Sequence, residues 1–330
     1  MTDIYTSAEE WKARLLRGER EAAGDLLRAY GLAVRRISAR IKELTDQIQA
    51  ARLQGESISS GWLYERDRLT NLKREIIVEL QRFSRVASIR VAREQAAAKE
   101  LGAEAAQALI GESDGAPIAI RLGTFGARAS ATIAGFASDG SPLRELFAEQ
   151  AVAVARRVSD ELVAGVAEGQ SARVIAARMR VAFGGDLARA LTIARTETVR
   201  AYREASRAAF VTNASVLRGW YWQAALDART CVVCIAMHGQ VFPVSARLES
   251  HPNCRCVPVP LTTAAPLPET GPEWFARQEA GLQRQVLGAA KFEAFREGKF
   301  EVKDLVGVRH SERWGTSRFE KPLSAILSEE

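Results

Sequence analysis

Apolar residues recur at helical spacing through most of the first 110 positions. One stripe steps alternately by three and four residues, as on one face of a helix with a heptad pattern. Its members are Leu27, Tyr30, Val34, Ile37, Ile41, Leu44 and Ile48. A polar segment rich in serine and glycine follows at residues 53–61, and a second stripe comes after it. The second stripe consists of Leu69, Leu72, Ile76, Leu80 and Phe83. Two amphipathic helices joined by a short polar loop predict an antiparallel helical hairpin over residues 1–110.

The pattern leaves two interpretations of this hairpin open. The stripes either cover an ordinary helical core or form an exposed coiled coil that binds a partner. In the second case, Ile37 and Ile41 of the first stripe are expected to matter for partner binding.

The next part of the chain predicts an irregular connection followed by three helices. Residues 111–149 form the connecting segment, because turn-forming residues bracket a small-residue stretch of ambiguous periodicity. A helical stripe then returns with Phe147, Ala151, Val154, Val158, Leu162 and Val166. Ser171 is the expected N-cap of a short helix that stops at Gly184 and Gly185. Asp186 is placed to cap the helix after it.

The pattern changes again after the third helix. Residues 216–226 are rich in aromatic and branched side chains and predict a strand. A second short strand is expected at residues 239–244, and residues 256–261 are expected to be extended. A proline-rich linker at residues 263–272 and a short helical tail at residues 273–330 follow. The predicted fold class is mainly α, with an N-terminal helical hairpin and a small α+β zinc-knuckle module around the cysteines.

Composition and charge narrow the function classes only slightly. The chain has 330 residues, which predicts two or three domains, with a net charge of +6 and a pI near 9.3. Mild basicity favours nucleic acid or an acidic partner, but charges of both signs are interleaved and no Lys/Arg block is present. The sequence shows neither the apolar core of a signal peptide nor a stretch of membrane-helix length. We therefore expect a reducing cytoplasm, in which clustered cysteines are metal ligands or thiols rather than disulfides.

Soft ligand residues are concentrated in one short segment. All four cysteines and two of the three histidines lie between Cys231 and Cys256. Cys231 and Cys234 form a Cys-x-x-Cys pair, which lets two thiolates reach one tetrahedral ion from a tight turn. After a hairpin-sized gap, His251, Cys254 and Cys256 offer three candidates for the two remaining positions. The pattern predicts one structural zinc ion per chain and leaves open which two of the three complete the site.

Three other interpretations of the cysteines compete with zinc. A redox Cys-x-x-Cys pair requires a helix that starts at Cys231, inside a βαβ unit, and Gly239 follows too soon for it. A Cys/His nucleophile requires an open cleft, which spacing does not reveal. Buried thiols that act as small apolar residues are the least specific interpretation. His238 is placed to orient a metal ligand from outside the coordination sphere.

Three linked motifs resemble those of one known family. They are "ALTIARTETVRAYREASRAAF", "WYWQAALDARTCVVCIAMHGQVF" and "HPNCRC", in this order. Over roughly residues 150–262 they make the chain similar to the Mu F-like minor head proteins, the phage head morphogenesis domain. The resemblance implies a virion component, assembled in the host bacterial cytoplasm, that acts at the portal or capsid interior in procapsid assembly and DNA packaging or delivery. It also implies the portal or the major capsid protein as partner, and no catalytic activity.

The sequence leaves two other functions open. A zinc-stabilised DNA-binding module is expected to bind DNA with an affinity that falls steeply as salt rises. An enzyme requires a pocket that gathers Arg195, Glu197 and Asp227, but structural polar contacts are expected there because neighbours on a helix point in different directions. Under the head-protein hypothesis, the hairpin docks on the portal or the inner capsid surface. The metal-stabilised module then lies close to packaged DNA and contacts phosphates without reading sequence.

Overall fold

The structure, a computed structural model, describes residues 4–112, 134–137, 140–182, 184–262, 267, 269–311 and 315–328. The described residues are mostly helical and also form two small antiparallel sheets, in agreement with a mainly α fold class. The helices are α1 (Ile4–Leu53), α2 (Ser60–Tyr64), α3 (Arg68–Glu112), α4 (Leu143–Ala167), α5 (Ala172–Val181), α6 (Gly184–Thr212), α7 (Val232–Met237), α8 (Gly271–Ala276), α9 (Ala280–Leu287), α10 (Ala289–Arg296) and α11 (Leu323–Leu327). The strands are β1 (Leu217–Gln223), β2 (Val241–Phe242), β3 (Val257–Thr262), β4 (Val306–Ser311) and β5 (Gly315–Glu320). None of the described helices combines the length and the apolar character needed to cross a membrane.

Helices α1 and α3 form the antiparallel hairpin that the apolar stripes predict. The short helix α2 turns the chain between them, and Ser59 caps it by accepting a hydrogen bond from the Trp62 amide at 3.4 Å. Ion pairs across the hairpin match its antiparallel register: Asp25–Arg90, Arg36–Glu79 and Arg40–Glu75. Every member of the second stripe is buried. In the first stripe Leu27 is half exposed, and Leu26 is buried in its place.

The hairpin shares its core with the helices that follow it. Helices α4, α5 and α6 pack against α1 and α3, and one continuous apolar core connects them. All predicted apolar positions of α4 belong to this core: Phe147, Ala151, Val154, Val158, Leu162 and Val166. Ile37 and Ile41 each expose only 1% of their surface to solvent. The structure therefore favours the ordinary helical core over an exposed coiled-coil face.

Gly102 allows α3 to approach α6 closely. A Cβ atom at this position would lie 2.4 Å from the carbonyl oxygen of Tyr202, so a larger residue does not fit at this separation. The Ser206 hydroxyl donates a hydrogen bond to the Gly102 carbonyl at 3.2 Å. The contact joins the hairpin to α6, which also faces the cysteine segment.

The start of α5 agrees with the prediction, and its end does not. Ser171 is the N-cap and accepts a hydrogen bond from the Val174 amide at 3.4 Å. The helix ends at Val181, and Gly184, which was expected to stop it, is instead the first residue of α6. The predicted capping role of Asp186 concerns a side chain that the structure does not describe. The same is true of parts of the two predicted irregular segments, namely residues 113–133 and 138–139 of the first and residues 263–266 and 268 of the second.

Strands β1, β2 and β3 form an antiparallel sheet in the order β2-β1-β3. The strands expected at residues 216–226 and 239–244 are therefore observed, and the extended segment at residues 256–261 is β3. Trp220 of β1 pairs with Phe242 of β2, and their rings stack with centroids 4.6 Å apart. This sheet flanks the segment that carries the cysteines.

The tail after Glu273 is not only helical, and this part of the prediction was wrong. Helices α8, α9 and α10 are followed by the antiparallel hairpin β4–β5 and then by α11. The alternation of apolar residues in "VGVRHS" is the strand signal, but it spans too few residues to stand out among helical segments. Phe275, Phe292 and Leu305 of the tail are buried in one core with the side chains of α7. The tail therefore packs directly on the helix that carries two of the cysteines.

The burial of the first stripe can be tested by removing a single methyl group from one of its residues. Replacing Ile41 by valine is expected to lower the free energy of unfolding by about 1 kcal/mol, because a buried methylene is lost from a closed core. The matched substitution Ile89→Val, at a site 63% exposed on α3, is expected to change it by less than about 0.5 kcal/mol. Chemical denaturation followed by circular dichroism measures both. Equal effects at the two sites would show that the stripe does not face the core.

Candidate metal centre

Helix α7 presents the first two predicted ligands. Cys231 is the N-cap of this six-residue helix, and Cys234 lies one turn later on the same side. A helix at this point was not expected, because Gly239 follows so soon, and that part of the argument against a redox pair was wrong. However, α7 connects the antiparallel neighbours β1 and β2, whereas the redox interpretation requires a parallel βαβ unit.

The loop before α7 is held by Asp227. Its carboxylate accepts hydrogen bonds from the Arg229 amide at 2.9 Å and from the Thr230 hydroxyl at 3.0 Å. Partial burial opposes ionisation, but the hydrogen bonds from Arg229 and Thr230 outweigh it and hold the pKa of this carboxyl below its usual range. Asp227 and Arg229 therefore fix the loop, as the sequence predicts.

The second ligand segment is a tight turn that α6 holds in place. The Cys254 amide donates to the His251 carbonyl at 3.3 Å, and Asn253 between them has a positive φ of 65°. The Asn253 amide donates to the Thr196 hydroxyl at 3.1 Å, and its side-chain oxygen accepts from Arg195 at 3.2 Å. Arg195 and Thr196 therefore position the turn that carries His251 and Cys254.

Arg203, also on α6, holds the end of the same segment. Its guanidinium is buried and donates to the Cys256 carbonyl from Nε at 2.9 Å and from Nη2 at 2.8 Å. It also donates to the Cys254 carbonyl at 3.2 Å and to the Ser250 hydroxyl at 2.6 Å. One side chain thus satisfies buried backbone acceptors on both sides of Arg255, which itself is exposed.

The structure brings all five predicted metal-ligating residues together. The Nε2 atom of His251 lies 3.2 Å from the sulfur of Cys231 and 3.2 Å from that of Cys234. The sulfur of Cys234 is in turn 3.6 Å from that of Cys254. Cys256 joins the cluster through Cys234 and Cys254, since the three sulfurs lie within 4.8 Å of one another. Sulfur and imidazole nitrogen are the donors that zinc prefers, so this residue set fits a structural zinc ion.

Two thiols of the cluster, those of Cys231 and Cys254, have lowered pKa values, and those of Cys234 and Cys256 have raised ones. The hydrogen bond from Cys234 lowers the pKa of Cys231 to about 5, although burial opposes it, and His251 adds to the effect. Burial also opposes ionisation of Cys254, but hydrogen bonds from Cys234 and Cys256 lower its pKa well below the usual value. Donating these bonds raises the pKa of Cys234, and burial raises that of Cys256. Burial disfavours the charged form of His251, yet its contacts with the thiols of Cys231 and Cys254 raise its pKa to about 10.

His238 does not serve the cluster in the way that was expected. Its Nδ1 atom accepts a hydrogen bond from the Ala224 amide at 3.0 Å, next to β1. Burial, together with the charge of Lys12, lowers the pKa of His238 to about 4, so the imidazole is neutral. Its role in the structure is to fasten the end of α7 to the sheet.

The three residues of the enzyme alternative have different partners. Arg195 forms an ion pair with Glu19 of α1 at 2.7 Å, and Glu197 forms one with Arg200 at 2.7 Å. A cavity of about 210 Å³ lies beside His251, and its lining includes Glu197 but neither Arg195 nor Asp227. These contacts support the structural roles predicted for the three residues.

Arg203 and Asn253 are the site residues that sequence reasoning missed. Thr192, Thr196 and Arg203 are separated by four and seven residues, so they lie on one face of α6. That spacing was a readable signal for one polar face of α6. Its target was not readable, because Asn253 and Cys256 lie 53 to 61 residues further along the chain than their partners on α6.

The elements that build this centre run from α6 to β3, with α6 along one side and the sheet along another. Residues 156–259 match the family model of phage Mu protein F like proteins. This confirms the resemblance inferred from the three sequence motifs. The Mu F-like segment contains all five residues of the cluster and ends within β3, before the tail. It covers less than half of the chain, and it suggests a role in phage head morphogenesis. The chain matches no curated protein and no solved structure at a significant level.

Proposed function

We propose that this protein is a minor component of a phage head. It acts at the portal or the inner capsid surface during procapsid assembly and DNA packaging or delivery. The observation that carries the proposal is the match of residues 156–259 to the phage Mu protein F like family. A structural role is also supported by the polar residues of α6, since Arg195 and Arg203 hold the turn and the backbone of the cysteine segment.

The helical hairpin is the part of the chain that we assign to docking. The stripe containing Ile37 and Ile41 is buried within the protein, so the docking surface is instead the outward side of the hairpin. Val86 and Ile89 of α3 are 49% and 63% exposed there, next to the cross-hairpin ion pair Asp25–Arg90. Exposed apolar side chains with a charged rim are typical of protein interfaces.

Ion pairing argues against a free-standing DNA-binding module. Many arginines of α1, α3 and α6 form ion pairs with acidic neighbours: Arg36, Arg40, Arg82, Arg90, Arg195, Arg200 and Arg207. Such pairs weaken the local positive field that would attract phosphates. Contact with packaged DNA is therefore proposed as nonspecific and secondary to docking on a head protein.

The proposal is tested by incorporation into heads. Wild-type protein is expected to co-purify with procapsids or with the portal, and its complete absence from particles would refute the head assignment. The double variant Val86→Asp with Ile89→Asp is expected to reduce incorporation at least tenfold without a change in melting temperature, because exposed sites tolerate charge. The control Val308→Asp, at an equally exposed position (61%) on β4, is expected to be incorporated normally.

These point variants are more informative than a deletion of the whole hairpin. Removing residues 20–100 would also remove half of the core that α4–α6 require, so loss of incorporation would not identify a docking surface. Normal incorporation of the double variant would contradict docking through the outward side of α3 and leave the head assignment intact.

A further inference from the structure

We propose that Cys231, Cys234, His251 and Cys254 bind one zinc ion, and that Cys256 lies outside its coordination sphere. This inference goes beyond a role in the head and does not depend on it. It also resolves the choice among three candidates that spacing alone leaves open.

The position of one imidazole nitrogen, Nε2 of His251, identifies the first three ligands. The Nε2 atom of His251 is 3.2 Å from each of the sulfurs of Cys231 and Cys234. Four ligand atoms around a tetrahedral zinc ion, with Zn–S near 2.3 Å and Zn–N near 2.0 Å, are separated by roughly 3.5–3.8 Å. The observed separations are slightly shorter, so a small opening of the cluster admits the ion.

The fourth ligand must lie close to this triad, and the sulfur of Cys254 is placed closer to Cys234 than that of Cys256. The sulfur of Cys254 lies 3.6 Å from that of Cys234. Cys256 has its sulfur within 4.8 Å of those of Cys234 and Cys254. Its backbone is fixed at the entry to β3, where its carbonyl accepts two hydrogen bonds from Arg203.

The surroundings of His251 suit metal binding through Nε2. Its Nδ1 atom lies 2.7 Å from the Pro252 carbonyl oxygen and donates to it, which fixes the tautomer and the ring orientation. Three thiolates and one imidazole favour zinc over magnesium or calcium, which take oxygen ligands. Four protein ligands leave no position for water, so the ion is structural.

The zinc ion would also hold the tail. Val232, Ile235 and Met237 of α7 are buried in the core that the tail helices complete. Because a structural metal contributes its binding free energy to folding, its loss is expected to loosen both α7 and the segment packed on it.

Metal analysis of the full chain tests the ligand assignment. Protein purified without chelator is expected to contain one zinc per chain, and Cys256→Ser is expected to keep it. Cys254→Ser is expected to reduce zinc content at least tenfold. Wild-type zinc well below one per chain, or an oxidised cysteine pair in its place, would overturn the proposal, as would loss of zinc from Cys256→Ser together with retention in Cys254→Ser.

Cobalt substitution provides a readout that does not depend on the folding of Cys254→Ser. In Co²⁺-loaded wild-type protein the thiolate-to-metal charge-transfer absorption reports the number of bound thiolates, and three are expected. The intensity is expected to be unchanged in Cys256→Ser, and a loss of one third in that variant would make Cys256 a ligand. Removal of the metal is expected to raise hydrogen exchange in α7 and in residues 271–311 before it does so in α3.

Discussion

Replacing Gly271 by alanine is expected to detach the tail from the cysteine segment. Gly271 is the first residue of α8, and its amide donates to the His238 carbonyl at 3.0 Å. A Cβ atom there would lie 1.8 Å from the carbonyl oxygen of Ile235 and 3.0 Å from the Cβ of His238. The first of these atoms belongs to the backbone of α7, so no side-chain rotation relieves the overlap.

The expected cost of Gly271→Ala is at least about 3 kcal/mol in the free energy of unfolding, at the upper end for overpacking. Gly281→Ala is the matched control, because a Cβ atom at Gly281 would meet nothing within 4 Å. Gly281 lies in α9, where alanine is expected to stabilise the helix by up to about 1 kcal/mol. Chemical denaturation measures both variants, and hydrogen exchange shows whether α8–α10 open first. Equal stabilities of the two variants would show that α8 does not approach α7 this closely.

The elements predicted with success carry their signal within a single helix or a single loop. The stripe from Tyr30 to Ile48 repeats over five turns, so its period identifies the buried face without knowledge of what covers it. Leu27 was assigned to the buried face in place of Leu26, because the two neighbours are equally apolar. The hairpin β4–β5 was missed because six residues of alternation carry little weight beside three preceding helices.

The residues of the cluster were predictable because cysteine and histidine are rare in this chain and converge in one segment. What supports them was not predictable, because the supporting contacts join distant parts of the sequence. The buried stripe illustrates the same limit. Its pattern was compatible with an external partner, and only tertiary packing shows that Ile37 and Ile41 are buried in a core shared with the following helices.

Arg203→Met is expected to destabilise the cysteine segment by about 3–5 kcal/mol. Methionine fills a similar volume but donates no hydrogen bond, so the buried carbonyls of Cys254 and Cys256 lose their donor. Each buried acceptor left unsatisfied costs about 1–3 kcal/mol. The matched variant Arg207→Met, one turn later at a partly exposed ion pair with Glu204, is expected to cost less than about 1 kcal/mol.

The location of the destabilised residues shows whether Arg203 holds the cysteine segment or only stabilises α6 itself. Hydrogen exchange is expected to rise first in residues 250–262, which Arg203 holds, and to stay low in α3 and α4. Arg203→Lys is expected to recover only part of the stability, because an ammonium group cannot reproduce the fork by which Nε and Nη2 share one carbonyl. If Arg203→Met and Arg207→Met have equal effects, the segment from His251 to Cys256 does not depend on the hydrogen bonds of Arg203.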